Sequence, residues 1–88
     1  MAIDDLKTIH SYIAKDSKVY ADRFVEKLIS KIDQLENFPL SGKMVPEFGQ
    51  ESIRELIEGS YRIVYKINPD HVGIARVHHT SQLLKIIN

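Results

Sequence analysis

Three arginines and two adjacent histidines are the residues whose types and spacing suit chemistry here. Arg54, Arg62 and Arg76 fall in three consecutive stretches rich in β-branched and aromatic residues, at 53–57, 61–66 and 72–78. An arginine inside a strand is costly to bury, so it faces water, a partner or an anion. Planar guanidinium groups on neighbouring strands make a site for phosphate or for acidic side chains, and Lys66 adds a further cation. A histidine beside such a site, His78 or His79, is suited to general acid/base work. The plainer reading is solvated strand positions paired with Glu47, Glu55 or Glu58, and histidines with structural or surface roles.

Other chemistries find less support. His78 and His79 are adjacent, so in a strand they point to opposite faces and do not chelate one ion. His10 and His71 sit in other elements without ligand spacing, so no metal is expected. No GxGxxG or Walker pattern is present, and no cofactor is expected. Nothing singles out a nucleophilic serine. With no cysteine there is no disulfide framework and no thiolate nucleophile. Tyr12, Tyr61 and Tyr65 read as core or rim aromatics.

The elements that must position these residues begin with a β-hairpin, Ile53 to Lys66, turning through the three-residue gap Glu58-Gly59-Ser60. In its second strand Tyr61, Ile63 and Tyr65 alternate with Arg62, Val64 and Lys66. The first set suits packing on helices, and the second makes a half-polar open face on which Arg54 and Arg76 are candidates to join. Upstream, Ile3, Leu6, Ile9 and Ile13 recur at helical spacing over about Ala2 to Ala14. Asp4 and Asp5 suit the dipole of its first turn. Asp16-Ser17 reads as a break and N-cap. A longer helix follows, with Ala21, Phe24, Val25, Leu28, Ile32 and Leu35 on one face, ended by Asn37 and Pro39. The stretch 39–50 reads as a loop from its Pro and Gly, packed down by Met44, Val45 and Phe48. Asn68-Pro69-Asp70-His71 is a second turn before the strand at 72–78. Residues 80–88 fit either a short helix or a last strand. The order α, α, β, β, β predicts an α+β fold, an N-terminal α-hairpin packed on one face of a small antiparallel β-sheet.

Eighty-eight residues leave no room for two cores, so one domain over 1–88 is expected. A hydrophobic share of 43% with 27% charged residues argues against disorder. No apolar run approaches the roughly 20 residues that span a bilayer, and the N-terminus has neither a basic nor an apolar signal region. A cytoplasmic protein without membrane partners is the expectation. The formal net charge is zero, whereas a nucleic-acid binder usually carries a basic excess. From Tyr61 onward, however, Arg62, Lys66, Arg76 and Lys85 face Asp70 alone, so the sheet end is locally basic.

In order along the chain, Asp5-Leu6, Ile9 and Tyr12-Ile13 fit a "DLxxIxxYI" helix, and Ala21, Phe24 and Leu28 fit the next. Phe38-Pro39-x-Ser41-Gly42-Lys43 fits an "FPxSGR" loop followed by Pro46-Glu47. Ile53-Arg54-Glu55-Leu56 and Tyr61-Arg62-Ile63-Val64-Tyr65 fit an "IREL…YRIVY" hairpin, and Ile74, Val77 and His79 fit "IxxVxH". Nearly end to end, the sequence resembles the RelE/ParE superfamily of type II toxin–antitoxin toxins, also called plasmid stabilisation proteins. The resemblance implies a growth-inhibiting toxin neutralised by a cognate antitoxin whose tail wraps it. It also implies one of two activities. ParE-like members bind DNA gyrase and have no catalysis of their own. RelE-like members are ribosome-dependent endoribonucleases that cut mRNA, which would place Arg54, Arg62 and Arg76 on phosphate, with Arg62 and His79 as the catalytic pair. RelE-like chains typically carry an Arg soon after the strand His, where this chain has Gln82, and often a Tyr near the C-terminus, where it has none after Tyr65. The ParE-like reading is therefore preferred, with Arg54, Arg62, Lys66 and Arg76 as binding residues. A third reading is an inactive remnant that only binds antitoxin. Family members usually begin with a strand that precedes the first helix, and this chain starts inside the helix motif. The sheet edge left open is expected to take a partner, a second copy in a homodimer, or the Leu83 to Ile87 segment.

Overall fold

Two amphipathic helices lie on one face of a four-stranded antiparallel sheet. The structure, a computed structural model, describes residues 2–80. The elements are α1 (Ala2–Ala14), α2 (Lys18–Gln34), a 3₁₀ turn (Pro39–Ser41), β1 (Lys43–Met44), β2 (Ile53–Glu58), β3 (Tyr61–Ile67) and β4 (Val72–His79), with the strands in spatial order β1-β2-β3-β4. The α+β architecture expected from the sequence is the one observed.

Each helix forms for the reason its pattern suggests. Ser17 caps α2, its hydroxyl accepting from the Tyr20 amide at 3.1 Å, and this satisfies a donor that the first turn leaves open. Ile9 from α1, Leu28 and Leu35 from the second helical stretch, and Ile63, Tyr65 and Val77 from the sheet form the main core. Burying such a side chain contributes about 1.5–3 kcal/mol. α2 ends at Gln34, three residues before the Asn37 expected to help stop it. Turn-type bonds take over there, with the Phe38 amide donating to the Gln34 carbonyl at 2.9 Å.

The sheet departs from expectation in three places. Glu58 belongs to β2, so the hairpin turn is only Gly59 and Ser60, with Gly59 at φ +59°, a conformation that costs glycine little. The stretch 39–50 is not all loop, because Lys43 and Met44 pair with Glu55 and Arg54 as a short edge strand. Of the residues expected to pack it down, Val45 is fully buried against Val64, with Phe48 beside it, while Met44 is largely exposed. Val64 therefore sits in a second small core, and the face away from the helices is covered there rather than open. Residues 81–88, whose fold the sequence left ambiguous, lie outside the described residues.

One bulge sets the faces of β4. Val64 pairs with Arg76 and Tyr65 with Ile74, which leaves Ala75 without a partner. Ile74 and Val77, three residues apart, thereby both face the helices. Arg76 and Ala75 fall on the opposite face.

A tyrosine at the centre of the sheet holds the loop motif. The Tyr65 hydroxyl donates to the Pro39 carbonyl at 2.6 Å and accepts from the Gly42 amide at 2.9 Å. Arg54 donates from Nη1 to the Gly42 carbonyl at 2.9 Å and from Nε to the Glu51 carbonyl at 2.9 Å. A Cβ at Gly42 would lie 2.5 Å from the Tyr65 hydroxyl and 2.6 Å from the Glu55 carbonyl oxygen. Gly42→Ala is therefore expected to lose about 1–3 kcal/mol by overpacking. Ser41→Ala, at an exposed neighbour, should stay within about 0.5 kcal/mol of the parent. Urea unfolding of both variants checks this, and equal stabilities would refute the close approach.

Candidate functional site

The four cations singled out by the sequence do not converge. Arg54 pairs with Tyr65 across the β2–β3 ladder and so shares the helix-side face. Arg62, opposite Ile57, and Lys66, opposite Ile53, lie on the other face. Arg76 lies across from Val64 on that same outer face, at the sheet's edge among the described strands. Each arginine is bonded within the chain, Arg54 to the two loop carbonyls above. Lys66 is exposed.

Arg62 pairs with Glu55. Its Nε lies 2.7 Å from Glu55 Oε1, its Nη2 reaches the same oxygen, and Glu55 is only 2% exposed. A carboxylate so deeply placed needs a cation, since an unpaired buried charge is far costlier than an unpaired polar group. Glu55 was one of the three partners named by the plainer sequence reading.

Arg76 forms a two-pronged bond to Asp5 of α1, Nε to Oδ2 at 2.8 Å and Nη2 to Oδ1 at 2.9 Å. The same Oδ2 accepts from the Val77 amide at 2.9 Å. That amide points outward from β4, where another strand would otherwise bond. Asp5 thus ties the first turn of α1 to β4 and blocks its edge at that point. Burial alone would raise the Asp5 carboxyl, but the bonds from Arg76 and Val77, with the Arg76 charge, hold it below its usual range. In the sequence Asp5 is a first-turn acid and the Asp of the "DLxxIxxYI" motif, and neither feature names a partner. Its pairing with Arg76 spans 71 positions and leaves no local spacing signal.

The two histidines face opposite sides, as their adjacency requires. His79 is opposite Tyr61 on the helix side, with ring centroids 5.4 Å apart in an edge-on arrangement. That contact extends a row from Tyr20 through Phe24, whose ring lies 5.5 Å from that of Tyr61. His78 is opposite Arg62 on the outer face and is 4% exposed. Arg62 and His79, the pair a nuclease would use, are therefore on opposite faces of the β3–β4 ribbon. Between α1, α2 and the end of β4 lies a groove of about 810 Å³, lined by Tyr12, Tyr20, Phe24, Tyr61 and His79 among others. Tyr12 stands at its rim, 66% exposed.

Two outcomes follow. Arg62→Ala, which leaves Glu55 buried without its cation, is expected to cost about 3–5 kcal/mol, whereas Arg62→Met with Glu55→Leu should recover most of that loss. Denaturant curves decide it, and a parent-like Arg62→Ala would show the pair to be unimportant. For Asp5, a carboxyl depressed in the folded state stabilises above the unfolded pKa, and that contribution fades as the pH falls through the folded value. Asp5→Ala should cost about 1.5–3 kcal/mol at neutral pH, and the gap to the parent should narrow below about pH 4. A gap unchanged across that range would count against the charged clamp.

A comparison with curated proteins gives no match. The sequence model described as the ParE toxin of the type II toxin–antitoxin system parDE matches residues 1–84. That match runs from α1 beyond the end of β4, covering the Asp5 clamp, the Tyr65 loop tether and the Glu55–Arg62 pair alike, and the chain belongs to the ParE toxin family of type II toxin–antitoxin systems.

Proposed function

We propose that the chain acts as a ParE-like toxin, by binding a protein target such as DNA gyrase rather than by cleaving RNA, and that a cognate antitoxin neutralises it. Membership of the ParE family supports the antitoxin partner and the choice of target class. The observation that carries the binding reading is the internal engagement of Arg54, Arg62 and Arg76. A phosphate-cleaving site needs donors aimed at the position where charge develops, and it needs them available. Guanidinium groups already held by a buried glutamate, a clamping aspartate and two loop carbonyls serve the fold. The separation of Arg62 from His79 onto opposite faces argues the same way.

For target contact, the outer sheet face offers exposed Ile57, 49% accessible, with exposed Lys66. Ile57, opposite Arg62, and Lys66, opposite Ile53, stand four ladder positions apart on this face, an apolar side chain at one end and an unburied cation at the other, which suits a protein surface with acidic groups at its rim. Purified protein added to gyrase and relaxed plasmid should block supercoiling, and Lys66→Glu should weaken the block at least several-fold while changing stability by no more than about 0.5 kcal/mol. Full supercoiling at a molar excess of folded protein would end the gyrase reading.

A further inference from the structure

His78 is a buried titratable group that neither the fold's ion pairs nor the proposed function uses. Neither ring nitrogen makes a hydrogen bond of normal geometry. Such a ring is tolerated when neutral and costs a great deal when charged. Among the described residues, the charged groups facing it are Arg62 of β3, held by Glu55 of β2, and Arg76 of β4, held by Asp5 of α1. Two carboxylates are already matched by two guanidinium groups. An imidazolium here would be a third cation, with no further anion facing it among the described residues.

We propose that His78 is a proton-sensitive fastener for the end of β4: neutral, it packs beside Arg62; protonated, it leaves that place and loosens the β3–β4 end. The segment it would release carries His79 against Tyr61 and the bond from the Thr80 amide to the Ser60 carbonyl. Burial is the main cause that holds the ring's pKa below its usual value. Arg62 and Arg76 push the same way, and the His79 backbone and Asp5 oppose without reversing it. For a base whose folded pKa is depressed, the unfolded chain takes up the proton first. Stability is therefore full above the unfolded value and falls as the pH drops below it.

The test is urea unfolding of the full chain, parent beside His78→Leu, from about pH 7.5 to about pH 5.5. The expected result is a parent unfolding constant that rises, relative to His78→Leu, as the pH falls below about 6.5, by up to about tenfold per pH unit, the limit for one proton. Parallel pH profiles for the two proteins would overturn the proposal. Ring-proton titration of the parent by NMR gives a second reading that needs no variant and decides alone if His78→Leu does not fold. A His78 signal still neutral at about pH 6, where an unperturbed imidazole is mostly protonated, supports the fastener, and one that titrates at about pH 6.5 refutes it.

Discussion

A small sheet has little interior in which to hide charge, and here each strand arginine is fixed by a partner from the chain itself. The Glu55–Arg62 pair is the most buried instance. Glu55 is drawn almost wholly out of water and its oxygen is held by a guanidinium from the next strand. A buried pair of this kind costs more to break than it contributes over an apolar substitute. Its presence commits β2 and β3 to one register, because a slip of one residue would put the two groups on opposite faces. The face beyond the helices is organised around that commitment: Val64 closes against Val45, and His78 packs beside Arg62.

The other two arginines join distant parts of the chain. Arg54 and the Tyr65 hydroxyl together hold the loop at Gly42, where the backbone passes too close for a side chain. Arg76 and the Val77 amide share Asp5, which fastens the start of the chain's first helix to β4, the edge among the described strands. That contact also addresses the open edge. The sequence suggested that a partner, a second copy or the C-terminal segment would fill it, yet at Val77 the occupant is a carboxylate from α1. An acidic cap on an edge amide is one way a sheet avoids pairing with a stranger.

Much of the fold was legible because its signals are local. Apolar spacing gave both helices, Ser17 announced the cap, and the β-branched runs with Gly59 and Asn68-Pro69 gave the three longer strands. Alternation along β3 correctly placed Tyr61, Ile63 and Tyr65 towards the helices. The short strand at Lys43–Met44 was not legible, because two residues carry no period and their strand character comes from pairing with β2. The site was less legible for a related reason. Whether Arg54, Arg62 and Arg76 share a face depends on register and on the bulge at Ala75, neither of which composition encodes. Partners such as Asp5, far away in sequence, become visible only when the chain is folded. Glu55 was nameable in advance since it lies on the adjoining strand.

Family membership and charge placement bear on activity from different sides. The ParE match identifies a type II toxin, and the engagement of its arginines favours action by contact over action by cleavage. The most direct test is primer extension on a defined mRNA translated with and without the purified, folded protein. The account predicts an unchanged pattern of ends in both reactions. New cuts that arise only when ribosomes and the protein are both present would contradict it, and would mean that Arg62 or His79 leaves its place in this structure to act on RNA.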